Sequence, residues 1–261
     1  MSEWHFGTYN DKINALSAEQ FNAFDAAQVK TLTVDQVGHL DEEILQGLGS
    51  EEIQAFTAAQ LKALTTDQVK KFSAEQIAMF STASDNNQIA SLSAAQIGAL
   101  SGDQVAGFTV EQIGKFSAAQ VAGFTATQVP SLTEAQIGAL TSVHIAAIKT
   151  DVIDNLSTDQ VAMLSTSTTN GLSQVQSLST GQIAALTKDQ LGAMTEDQVD
   201  QFSVAQIAAL TEAQAPGLTS AQIAKFDATQ IAAIKASTFA KLSTDVIAGL
   251  TTGASSSVDQ I

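Results

Sequence analysis

Residues 117–124, Ser-Ala-Ala-Gln-Val-Ala-Gly-Phe, are one copy of an eight-residue phrase, [S/T]-x-x-Q-[I/V]-x-[A/G]-[L/F], that recurs almost without pause from Ser17 to Leu250. In this frame there are 26 units, and 20 of them carry Gln at position four. A period of eight excludes one long helix, because at about 100° per residue each octad would carry its apolar pair roughly 80° further around the axis. The chain must turn at every octad.

The residue types inside an octad match a helix N-terminus. Position one is Ser, Thr or Asp in nearly every unit, the types whose side-chain oxygen accepts from a free backbone N–H. Gln at position four then falls at N3 and completes a capping box. The Ile or Val at position five pairs with the Leu or Phe that ends the preceding octad, as a hydrophobic staple. Phe116, Ser117, Gln120 and Val121 form one such motif. Acids cluster at positions two and three (Glu111, Asp159, Glu196, Asp197) and lysines at six and seven (Lys62, Lys115, Lys225, Lys241), the order a helix dipole favours. A β-solenoid gives no reason for that order. Each octad is therefore expected to be a helix of one and a half turns, about 8 Å long. Isolated helices below about 12 residues are marginal, so stability must come from stacking. The fold class is an all-α solenoid of very short helices. On the capping frame, Gln120→Ala should cost about 0.5–1 kcal/mol, and Val121→Ala about 1–3 kcal/mol through lost burial.

A longer period lies above the octad. Val129-Pro130-Ser131-Leu132 aligns with Ala215-Pro216-Gly217-Leu218, and Ile148-Lys149 with Ile234-Lys235. Polar interruptions, STASDNN after Phe80, STSTTNG after Leu164 and TTGASSS from Thr251, read as turns. They divide the chain into residues 1–87, a divergent N-terminal cap with the first super-repeat, 88–173, the second, and 174–261, the third, ending at the start of a fourth. Pro130 and Pro216 sit at position six, where proline removes a donor, so both units should be kinked or frayed.

Composition removes several functional classes. Every one of the 11 basic residues is Lys, and 27 acids give a formal net charge of −16, which opposes nucleic-acid binding. Without Cys there is no disulfide or thiolate metal site. No basic region followed by an apolar one opens the chain, so no Sec signal peptide is expected, and no apolar run reaches the 18 residues a membrane span requires.

Chemistry-bearing patterns are few. His5, His39 and His144 have no i,i+4 partner; His144 replaces the Gln of its octad and reads as a substitute cap, and His39 at position seven as half-exposed. The Ser and Thr residues are accounted for as caps, and no nucleophile elbow or phosphate-cradling glycine loop occurs, so no enzyme activity or cofactor is expected. For calcium the best local candidate is Asp85-Asn86-Asn87, which a polar turn with Asx bonds accounts for better. A row of stacked Gln side chains is a further option, with capping the better account of the pattern. Trp4, Phe6 and Tyr9 near one end and Gln260 and Ile261 at the other are the expected self-assembly surfaces, the aromatics serving as a cap over the stack or as a docking patch.

The phrase Leu-Thr-Glu-Ala-Gln-Ile-Gly-Ala-Leu at residues 132–140 resembles the Ala/Leu/Gln-rich short repeats of large bacterial type I-secreted surface proteins, adhesins and surface-layer-like proteins. That resemblance covers nearly the whole chain and implies secretion through an uncleaved C-terminal signal. The phrase is also similar to the first helix of TAL-effector repeats, over about nine residues. The 33–35-residue period, base-reading loop and basic charge of those repeats are missing here, so DNA binding is not carried across. The expectation is an extracellular structural or adhesive element that forms a rod, filament or layer by self-association, with other cell-surface components as partners. The alternatives are a soluble, cytoplasmic scaffold that binds a peptide or protein along one face, and a carbohydrate or ice binder.

Overall fold

A computed structural model describes residues 12–168 and 171–252. Among them every regular element is a helix, nearly all of four to six residues, and there is no strand. The capping frame is the frame of the structure. In Ala118–Val121 the Ser117 hydroxyl accepts from Gln120 N–H at 3.3 Å, and Gln120 Oε1 accepts from Ser117 N–H at 2.8 Å. The same reciprocal pair opens Ala94–Ala99 at Ser93, Glu134–Ala139 at Thr133 and Ala228–Ala233 at Asp227.

Each elbow between octads is made by extended backbone. Leu64, closing Ala58–Ala63, has φ −58 and ψ 137, and Thr65, opening Thr66–Val69, has φ −70 and ψ 162. Two successive extended residues redirect the chain without a left-handed conformation, so Leu-Thr and Leu-Ser serve as linkers. Gly171 alone among the described glycines has a positive φ, 117°.

The chain divides into two units, Met1–Leu132 and Thr133–Ile261. Within each, helices pack on those three octads later. Ala26–Thr31 lies against Ser50–Ala55 in the first, and Thr180–Ala185 against Val204–Ala209 in the second. Positions five and eight form the core: Val121, Ile137, Val161 and Ile207 are essentially inaccessible, as are Phe124 and Leu210. Phe replaces Leu where rings meet, as in the row Phe108–Phe116–Phe124, with centroids 5.1 and 6.0 Å apart.

Both prolines shorten their helix to a 3-10 turn, Val129–Ser131 and Ala215–Gly217. At position six of other octads the N–H bonds back four residues, as Ala122 does to Ala118 O at 2.9 Å. Proline lacks that donor, and the turn tightens instead, with Ser131 N–H on Gln128 O at 2.9 Å.

Close approach of neighbouring octads is built around small residues at positions six and seven. A Cβ on Gly217 would collide with the backbone carbonyl of Lys188, three octads earlier, whereas one on Gly138 would meet nothing within 4 Å. Gly217→Ala should therefore lose about 1–3 kcal/mol through overpacking. Gly138→Ala, on the exposed side of Glu134–Ala139, should gain up to about 1 kcal/mol in helix propensity. Urea midpoints moving in opposite directions for the two variants check this.

Candidate functional site

The repeating polar feature is the position-four glutamine, and the structure shows it doing two things. Its Oε1 closes the capping box, while its Nε2 donates to two backbone carbonyls of an earlier octad. Gln104 is typical: Oε1 accepts from Ser101 N–H at 2.8 Å, and Nε2 donates to Val69 O at 3.0 Å and Phe72 O at 2.6 Å. Only 5% of the residue is accessible. In the second unit Gln206 does the same with Val175 O at 3.1 Å and Leu178 O at 2.8 Å. The described position-four glutamines do not stack on one another as an amide ladder; those of the interior bind main chain.

The acceptor residues sit at positions five and eight of the octad four units earlier. In plain stretches they lie 31 and 28 residues back, as for Gln120 on Ile89 O and Leu92 O. Four glutamines in the first unit, Gln88, Gln96, Gln104 and Gln112, reach back 35 and 32 residues instead. Four in the second, Gln174, Gln182, Gln190 and Gln198, reach back 37 and 34. Those displacements come from the polar interruptions, which are loops grown inside an octad between its cap and its glutamine. Gln88 Oε1 still accepts from Ser81 N–H at 2.7 Å across seven residues, and Gln174 Oε1 from Ser165 N–H at 2.6 Å across nine. The frame survives both insertions. Packing on the third octad back and hydrogen bonding to the fourth place one turn of the coil between three and four octads.

The cost of losing Gln120 is accordingly larger than a cap alone implies. It is 3% accessible and also donates to Ile89 O at 2.7 Å and Leu92 O at 2.9 Å, so truncation strands groups on two octads.

Where glutamine is replaced, the substitutes test the arrangement. His144, 5% accessible, keeps the box with Nδ1 accepting from Thr141 N–H at 3.2 Å. Thr238 Oγ1 donates to Leu210 O at 3.1 Å, 28 residues back. Glu52 retains only the capping half, Oε2 accepting from Gly49 N–H at 3.1 Å, and among the described residues no hydrogen bond joins it to the earlier octad. Register places Phe21 and Phe24 carbonyls there. Glu52→Gln should restore both donors and raise stability by about 1–2 kcal/mol, read as a higher urea midpoint.

Outer positions carry the charge. Lys71 Nζ lies 2.8 Å from Glu42, and Lys225 Nζ 3.4 Å from Glu196, each pair joining position seven to position two three octads earlier. The lysine and acid preference thus has a second cause beside the helix dipole, although such exposed pairs contribute little individually. Glu75, at position three, is held below its ordinary value by its own backbone N–H and then by the Ser73 hydroxyl, against a small opposing burial effect. A depressed carboxyl favours the fold above the ordinary carboxylate range and loses that contribution as pH falls through the lowered value. Glu75→Gln should flatten the acid side of a urea-midpoint against pH profile.

The other sequence candidates fall as follows. His39 closes Val34–Gly38 with its side chain 59% accessible and Nδ1 2.7 Å from Asp35 O. Asn86 and Asn87 serve the main chain. Asn86 Oδ1 accepts from Ala58 N–H and its Nδ2 donates to Phe56 O, while Asn87 Oδ1 caps Gln88–Ser91 through Ala90 N–H. Asp85 lies exposed in the same loop. Among the described residues no three His, Asp or Glu side chains converge as for a metal ion. His5, Trp4, Phe6, Tyr9, Gln260 and Ile261 lie outside the described residues. No described helix is long and apolar enough to cross a membrane.

What sequence reasoning missed is the pair of end turns. Gln20 and Gln28 are exposed and Gln36 half-buried, in contrast to the buried interior glutamines. At the other end Phe239 and Ile247, at position five, are half-buried where interior residues of that position are sealed. The signal was available in the register: among the described residues Gln20, Gln28 and Gln36 have no octad four units earlier.

No curated protein matches the chain. The family model named ALTTAQ repeat matches residues 45–82 and 171–204, one segment in each unit. Within them Ala63-Leu64-Thr65-Thr66-Asp67-Gln68 and Ala185-Leu186-Thr187-Lys188-Asp189-Gln190 span the elbow, the cap and the bridging glutamine. These two segments are similar to the ALTTAQ repeat.

Proposed function

We propose that this is a structural repeat protein, a stiff spacer or adhesive element acting outside the cell. The observation that carries the reading is the buried glutamine network. The recurring polar side chain of the octad joins turn to turn, while the variable positions two and three face outward as a repeated acidic surface. A chain organised in this way is suited to holding a length and presenting a surface. The resemblance of the octad to type I-secreted surface repeats supports the extracellular placement. Protease shaving of intact native cells, followed by fractionation, tests it: removal of the protein with an intact cell interior is expected, and full protection in a cytosolic fraction would overturn the placement.

A scaffold that binds a peptide is the second reading. A groove of about 500 Å³ in the second unit is lined by Gly138, Thr141, Val143, Ser167, Leu172 and Gln174, with Val143 63% and Leu172 58% accessible. Saturable binding of an apolar peptide that Leu172→Asp abolishes would favour it.

A further inference from the structure

In the interior of each unit, contact between successive turns has one fixed chemistry. The later octad brings its position-four Nε2; the earlier one brings the carbonyls of positions five and eight, as for Gln104 on Val69 O and Phe72 O and for Gln206 on Val175 O and Leu178 O. Each half of that contact is left open at one end of the described chain. In the first turn, the Nε2 groups of Gln20, Gln28 and Gln36 have no acceptor among the described residues, although their Oε1 atoms close capping boxes with Ser17, Asp25 and Thr33. Leu16, Phe24 and Leu32, at position eight, are half-buried there. In the last turn, the carbonyls of Ile234 and Leu242 receive no glutamine donor among the described residues. Ile231, Ile234 and Leu242 are 7–9% accessible, the upper end of the core, and Phe239 and Ile247 are half-buried.

We propose that the occupant of each open surface is a second copy of this chain, stacked head to tail, with Gln20, Gln28 and Gln36 of one molecule donating to last-turn carbonyls of the next. Donors and half-buried position-eight residues are at one end, acceptors and half-buried position-five residues at the other. The pairing of glutamine Nε2 with carbonyls of positions five and eight is the one that joins turns inside each unit. Because the two surfaces differ, the contact is heterologous and leaves each pair with one surface of each kind, so further copies can add. Like charge opposes it: each chain carries −16, and added salt screens that repulsion. This inference deepens the structural reading by naming the contact, but its test does not depend on where the protein resides.

Sedimentation velocity of the full chain over a concentration series is the experiment, at low and high salt. The expected result is a ladder of species growing with concentration and salt. Gln20→Glu, Gln28→Glu and Gln36→Glu together keep the capping acceptors and replace the donors, so the triple variant should keep its helical signal and lose the ladder. A Phe239→Glu variant should lose it independently, and mixing the two blocked chains should restore a 1:1 species through their remaining surfaces. A wild-type chain that stays monomeric at every concentration overturns the proposal, as does a ladder undiminished in the triple variant. Association that appears only after residues 1–11 are removed also overturns it, assigning the first-turn surface to the chain's own segment.

Discussion

Gln104→Ala is expected to lose about 3–5 kcal/mol, since buried groups left unsatisfied cost roughly 1–3 kcal/mol each and this one side chain serves three. It satisfies Ser101 N–H, Val69 O and Phe72 O, and water has little access to a residue 5% exposed. Gln104→Glu separates the two roles. The carboxylate keeps an acceptor for Ser101 N–H but points its other oxygen at two carbonyls, so near pH 7 it should be no better than alanine, although the cap is intact. Gln28→Ala in the first turn supplies the contrast: it removes only the cap, worth about 0.5–2 kcal/mol. Repeat arrays need not unfold in one step, so urea midpoints should be read beside hydrogen exchange at the caps. Exchange at Ser101 N–H should accelerate more in Gln104→Ala than in Gln104→Glu, which keeps its acceptor.

Phe116→Ala is the second large effect, expected at about 3–5 kcal/mol for removing a buried aromatic. Phe116 is the middle ring of its row, 83° to Phe108 and 45° to Phe124. Truncation opens a cavity between octads and removes two ring contacts, each worth about 0.5–1.5 kcal/mol beyond area. Phe116→Leu, which installs the residue most octads carry at position eight, should cost less than half as much. Thermal midpoints with circular dichroism distinguish the two variants. Equal losses would mean that position eight is specified ring by ring rather than by the octad.

The helix frame was legible because its evidence is local. Ser117 and Gln120 meet across three residues, and the elbow at Leu64–Thr65 uses ordinary extended backbone, so one octad contains everything that defines its helix. The partner of the Gln120 Nε2 was not legible. It lies four octads away, and which octad that is depends on the small rotation at each elbow, a property no single octad encodes. The loops after Phe80 and Leu164 read correctly as breaks in helix. Their relation to the frame was hidden because Ser81 and Gln88 bond across an insertion that spaces a familiar pair to seven residues. Positions of lysine and acid were legible as a pattern with only half its cause. Lys71 with Glu42 and Lys225 with Glu196 add an inter-turn pairing that appears once position seven is compared with position two three octads earlier. His144 was read correctly as a cap, because that bond too is local.

The central claim is that the position-four glutamines of interior octads tie successive turns together through their side-chain amides. Exchange of the Nε2 protons, followed by NMR on dilute monomer, measures this directly. The account predicts slow exchange for interior glutamines such as Gln104 and Gln206, and free-amide exchange for Gln20, Gln28 and Gln36. Uniformly fast exchange along the whole chain would contradict it.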